Sequence, residues 1–211
     1  MFKSQKVQRQ FQNVKEVDDG LEQIINNYIK QNVKNHPLPE APTKYDPDKE
    51  KDVFDPDKAA EILMEKANKL KELMHDTLED LNNYVPPEPL NEDSILIKCF
   101  FKTELEEGLQ SFEGKTLEET KKNMNQENGL FRYNTIKNGS DPIKQEQFLK
   151  QNYSPEALIK KLNEEGQRQK LRDDCYNDII SQLSDLSAHE STGYGTVCTN
   201  NKPQTGKGVT V

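Results

Sequence analysis

The sequence predicts a mainly α-helical protein, an extended multi-helix chain with coiled-coil-like segments, proline-rich connectors and an irregular C-terminal tail. Three observations predict it. Apolar residues recur at alternating steps of three and four along several stretches, which places them on one helical face. Prolines and glycines gather between those stretches, where they stop helices. Hydrophobic residues make up only 32% of the chain, and Leu, Ile, Val and Phe together number 47 of 211. That lies just above the level of about 20% below which a chain defaults to disorder, so the helices are expected to lean on neighbours for part of their burial.

The first helix is expected from about Val14 to Val33, with Val14, Val17, Leu21, Ile24 and Tyr28 on one face. His36-Pro37, followed by Pro39 and Pro42, ends it. Residues 1–36 therefore form a basic segment with an amphipathic helix, and 37–54 a proline-rich extended linker. Within the linker, Tyr45-Asp46-Pro47-Asp48-Lys49 is echoed by Phe54-Asp55-Pro56-Asp57-Lys58. Asp caps free N–H groups and Pro suits the first helical position. The second copy thus opens a helix, and the first reads as a turn with its aromatic as an anchor.

Residues 55–187 read as a helical region. Its first helix, about Pro56 to Tyr84, carries the cleanest stripe: Ala60, Leu63, Ala67, Leu70, Met74, Thr77, Leu81 and Tyr84. The heptad-like spacing suggests coiled-coil-like packing, with an ordinary bundle helix as the equal alternative; either makes the stripe a packing surface. The apolar run 94–101 allows a strand or a helix; a helix from about Asn91 is favoured, with Ile97, Phe101, Leu105, Leu109 and Phe112 on one face and Gly114 closing it. Thr116 and Glu119 form a capping box for a short helix ending near Gly129. Residues 129–140 read as a loop with a turn at Asn138-Gly139, and Asp141-Pro142 opens another short helix. Ser154-Pro155-Glu156 starts the last long helical stretch, apolar at Leu158 and Leu162 and again at Tyr176, Ile179, Leu183 and Leu186. The polar run from Asn163 to Lys170 with Gly166 makes it two helices or one solvent-bridging helix. Residues 188–211 read as an irregular tail.

The net charge of −8 is uneven: residues 1–36 carry +2, residues 188–211 carry +1 and the body carries −11. An acidic body disfavours general binding to nucleic acid or anionic lipid, although the basic ends could touch an acidic polymer. No run reaches the roughly 18–20 apolar residues of a membrane span. The first fifteen residues lack acid and place Val7, Phe11 and Val14 on one helical face, faintly like a mitochondrial presequence, although Arg9 is their only arginine. Cys99, Cys175 and Cys198 are odd in number and widely spaced, and they read as reduced thiols.

Motifs for chemistry fall short. Gly206-Lys207 is followed by Gly208 rather than the hydroxyl residue of a phosphate-binding loop. Asp46, Asp48 and Glu50 alternate like calcium ligands, but Lys51 stands where the turn glycine is required. His36, His75 and His189 are isolated, and His75 is expected to face solvent. Ser94-Ile95-Leu96 with Lys98 approaches a docking motif of phosphatase regulators, but Ile97 intervenes and the match reads as coincidence. No catalytic, cofactor or metal site is assigned.

The expectation is a non-enzymatic structural or interaction subunit of a large assembly. Its interface residues would be Leu21, Ile24, Tyr28, Leu63, Leu70, Met74, Leu81, Tyr176, Ile179, Leu183 and Leu186. The 25 Lys against 4 Arg, with 19 Asn, resemble the codon bias of an AT-rich genome such as a ciliate's. The setting read from this is a cytoskeletal one, a ciliary axoneme with tubulin or axonemal proteins as partners. The alternatives are a regulatory adaptor that folds on its partner and an accessory subunit of a mitochondrial complex.

Overall fold

Side chains that accept backbone N–H groups set the helix starts. Asp18 caps Leu21, Asp55 caps Lys58, Asn91 caps Asp93 and Ser94, Thr116 caps Glu119, Asp141 caps Ile143 and Lys144, and Ser154 caps Ala157. The computed structural model describes residues 17–192. It is mainly helical: α1 (Asp19–Asn35), a hairpin of β1 (Thr43–Asp46) and β2 (Lys51–Phe54), then α2 (Pro56–Asn83), α3 (Glu92–Gln110), α4 (Leu117–Met124), α5 (Gly129–Gly139), α6 (Pro142–Tyr153), α7 (Pro155–Leu162), α8 (Gln167–Leu171), a π-helical turn (Arg172–Tyr176) and α9 (Asn177–Thr192). Val7, Phe11, Val14 and Cys198 lie outside the described residues. So does the expected tail beyond residue 192, while 188–192 are helical rather than irregular.

The chain divides into two units, one ending at Tyr176 and one beginning at Asn177. In the first, α3 is the central element. Ser94 through Cys99 are all buried, with Phe101 and Leu105 beyond them. A helix covered on every side needs apolar residues at consecutive positions, which is why Ile95, Leu96 and Ile97 stand together. Each such burial contributes about 1.5–3 kcal/mol. Here α3 packs against α2, α7, α8 and the π turn, while α1 lies against α2 and α6. Tyr28 of α1 meets Phe101 edge-on at 5.4 Å between ring centroids, and Tyr153 of α6 completes the aromatic group.

A smaller cluster joins Ala59 and Ala60 of α2 to Met124 and Tyr133, flanked by Phe54 and Leu63. This cluster explains the first correction. Residues 129–140 are not a loop but helix α5. Gly129 does not stop a helix there; it allows one to start against another. A Cβ at Gly129 would fall 1.8 Å from the Met124 carbonyl oxygen. Tyr133 then inserts between α2 and the chain at Pro39, whose carbonyl accepts the Tyr133 hydroxyl at 3.2 Å.

The linker is corrected as well. It contains a β-hairpin, because Asp46 accepts the Asp48 N–H at 3.1 Å in a tight turn and the Asp55 N–H donates to the Pro42 carbonyl at 2.8 Å. The turn forms where the first Asp-Pro copy predicts one. Tyr45 does not act as an anchor within the chain, since it is 64% exposed on a strand.

The thiols are the third correction. Cys99 of α3 and Cys175 of the π turn form a disulfide across 76 residues, with 5.8 Å between their Cα atoms. Spacing along the chain carries no trace of this pairing, because the packing of α3 against the π turn brings the two together. Arg168 and Arg172 reinforce the same junction by pairing with Asp93 and Glu92 in the first turn of α3. The last helical stretch is broken at Gly166, which takes a left-handed φ of +75°.

Candidate protein-interaction surface

The expected interface residues separate into three groups. Leu21, Tyr28 and Leu81 are at most 4% exposed, so they are core residues rather than surface available to a partner. In α1 the core position falls to Ile25, and Ile24 is turned half out, lining a polar depression with Asp80 and Asn83. Leu63, Leu70 and Met74 are half-buried along α2. Met74 packs over Gly108 of α3, where a Cβ would lie 3.0 Å from its methyl carbon. The C-terminal stripe is divided between the units. Tyr176 is half-buried in the π turn of the first, while Ile179 and Leu183 are half-buried and Leu186 is 59% exposed in α9 of the second. His75 faces solvent. The Ser94–Lys98 segment is buried in α3 and cannot serve as an accessible docking motif.

Leu63 and Leu70 have a further role. Leu70, Ala67 and Leu63 of α2, with Leu38, Phe112 and Ile136, surround an apolar cavity of about 230 Å³. Its rim carries Asn35, His36 and Lys66. Burial first, and the Lys66 charge second, hold His36 below its ordinary pKa, so it is neutral near pH 7. A second cavity of about 420 Å³ shares Leu63 and Ile136 and continues along α5 between Met124 and Phe131, with Arg132 at its edge. The two cavities adjoin at Leu63 and Ile136, where α2 faces α5, and the second opens on between α4 and α5.

Large apolar side chains stand exposed along α5. Phe131 is 72% exposed, Ile136 46% and Leu130 44%. On α6, Ile143 and Phe148 are also more than half exposed. Scattered apolar residues are ordinary on a surface; a run of them flanking a groove marks an interaction site. The depression between α1 and α2 is larger, about 870 Å³, but its lining is Asp19, Glu22, Lys30, Asp80 and amides, which water already serves well.

Sequence reasoning missed Phe131 and Ile136 because they sit in a segment bounded by Gly129 and Asn138-Gly139 that reads as loop. The adjacent pair Leu130-Phe131 in an otherwise polar stretch was the available signal. Among the described residues, no group of three or more His, Cys, Asp or Glu is arranged to hold a metal ion, and no helix is long and apolar enough to cross a membrane. No family model, curated protein or solved structure matches the chain.

Proposed function

We propose that this chain is a non-enzymatic structural subunit of a larger protein assembly and that it docks through the α2/α5 groove. One observation carries the reading: Phe131 and Ile136 hold apolar surface in water beside a groove floored by Leu63. Covering such surface is favourable by about 25 cal/mol per Å² removed from water. The middle of the α2 stripe, Leu63, Ala67 and Leu70, lines the smaller cavity and offers a coiled-coil-like seat for a partner helix, with Leu38 beside it. The setting we propose is cytoskeletal, a ciliary axoneme with tubulin or axonemal proteins as neighbours, on the strength of the lysine and asparagine bias. The acidic body means that contact with acidic tubulin rests on apolar anchors rather than charge.

The test is incorporation. Phe131→Asp changes an exposed residue and is expected to leave the circular dichroism spectrum and Tm unchanged while removing the chain from the native complex in salt-washed fractions. Undiminished retention of Phe131→Asp overturns the groove as the docking surface. Isolated cilia lacking the wild-type chain by mass spectrometry overturn the proposed setting.

A further inference from the structure

We propose that the groove is filled by helix α9 of a second copy of this chain, making a reciprocal dimer. The inference rests on the groove being the docking surface and names its occupant. Three observations point to α9. It opens the second unit, and a helix of 16 residues is marginal in water unless a surface covers its apolar face. Ile179, Leu183 and Leu186 share one face, and Leu186 at its end is 59% exposed. Asp178 and Asp185, seven residues apart, border that face on one side, and α9 contains no Lys or Arg.

The groove is the complement. Its floor is apolar, and its rim carries Lys66 and Arg132, neither of which forms a salt bridge with a carboxylate among the described residues. Lys66 instead donates to the Asn35 carbonyl at 3.2 Å. An acidic amphipathic helix therefore finds both its apolar seat and its counter-charges there. The same chain supplies helix and groove in equal number, so two copies can satisfy each other by twofold closure.

Analytical ultracentrifugation of the full chain tests this. The wild type is expected to dimerise. Phe131→Asp in the groove and Leu186→Asp on α9 should each raise the dimer dissociation constant by roughly 30-fold or more. Both positions are exposed, so neither change disturbs the core. Mixing the two variants is expected to restore a heterodimer through the single pair that remains intact, the α9 of one with the groove of the other. A dimer broken by Leu186→Asp but indifferent to Phe131→Asp means α9 pairs with α9 and overturns the proposal, as does failure of the mixture to associate. A wild-type chain that stays monomeric, while Phe131→Asp still drops out of its native assembly, overturns the second copy as occupant and leaves the docking groove standing.

Discussion

The Tyr84 hydroxyl donates a hydrogen bond to Asp18 Oδ2, joining the end of α2 to the residue that caps α1. The same Asp18 accepts the Leu21 N–H, and its own N–H donates to Ser94 Oγ at the start of α3. Lys98 completes the group, donating to the Tyr84 carbonyl at 3.1 Å with its ammonium over the Tyr84 ring. Three helices thus meet at one residue, Asp18. Tyr84→Phe leaves the ring in place and removes only the donor to a charged acceptor. We expect a loss of about 1.5–3 kcal/mol, read as a lower midpoint in urea. An unchanged midpoint would show that the contact contributes nothing.

Tyr28 sets an alkaline limit. Burial, and next the nearby Tyr153, push its phenol up to about 12, against a smaller opposing effect from Asn32. In the unfolded chain the phenol ionises near pH 10. The folded pKa is the higher, so this contribution to stability is complete below pH 10 and is lost as pH rises from 10 to 12. The amount is on the order of 2–3 kcal/mol. Urea unfolding at several alkaline pH values should show wild type losing stability more steeply than Tyr28→Phe across that window. Parallel curves would refute the assignment.

The disulfide makes a different kind of prediction. Linking Cys99 to Cys175 restricts the unfolded chain over 76 residues, a constraint typically contributing 2–4 kcal/mol. The double variant Cys99→Ala, Cys175→Ala is expected to unfold at a lower temperature than the oxidised wild type and to ignore added reductant. The wild type should move toward the variant when reduced. Identical melting of all three samples would mean that the bridge does not stabilise the fold. Peptide mapping without reductant gives the linkage directly.

These features show which parts of the molecule a linear reading reaches. Asp55-Pro56, Thr116 with Glu119, Asp141-Pro142 and Ser154-Pro155 open helices where they stand, because capping is a local matter settled within three or four residues. Leu21, Tyr28 and Leu81 are closed off while Ile24 stays half out for a nonlocal reason. A stripe tells which residues share a face, whereas only the packing of α1 on α6 and α2 decides whether that face is closed or open. The low apolar content is legible in a similar way. It does not prevent a core around α3; it shows instead as thin cover over α5, α6 and α9, where Phe131, Phe148 and Leu186 remain in water. The groove was half visible, through Leu63 and Leu70, and its other wall was hidden by the glycine that creates it.

That glycine gives the sharpest test of the α4–α5 junction. In a helix interior, Gly→Ala ordinarily stabilises by about 0.5–1 kcal/mol, since it lowers the entropy of the unfolded chain. At Gly129 the sign should reverse. The added methyl would sit 1.8 Å from a backbone carbonyl, and backbone cannot rotate aside as a long side chain would. α5 must then move away from Met124, carrying Tyr133 out of the cluster with Ala59 and Ala60. We expect Gly129→Ala to lower the urea midpoint, with a destabilisation of roughly 1–3 kcal/mol, the range of overpacked cores. Gly139→Ala is the matching control at the other end of the same helix, where a Cβ meets nothing within 4 Å. It should be neutral or stabilising. If both substitutions raise stability, α5 does not begin against Met124, and the α5 wall of the groove is misplaced.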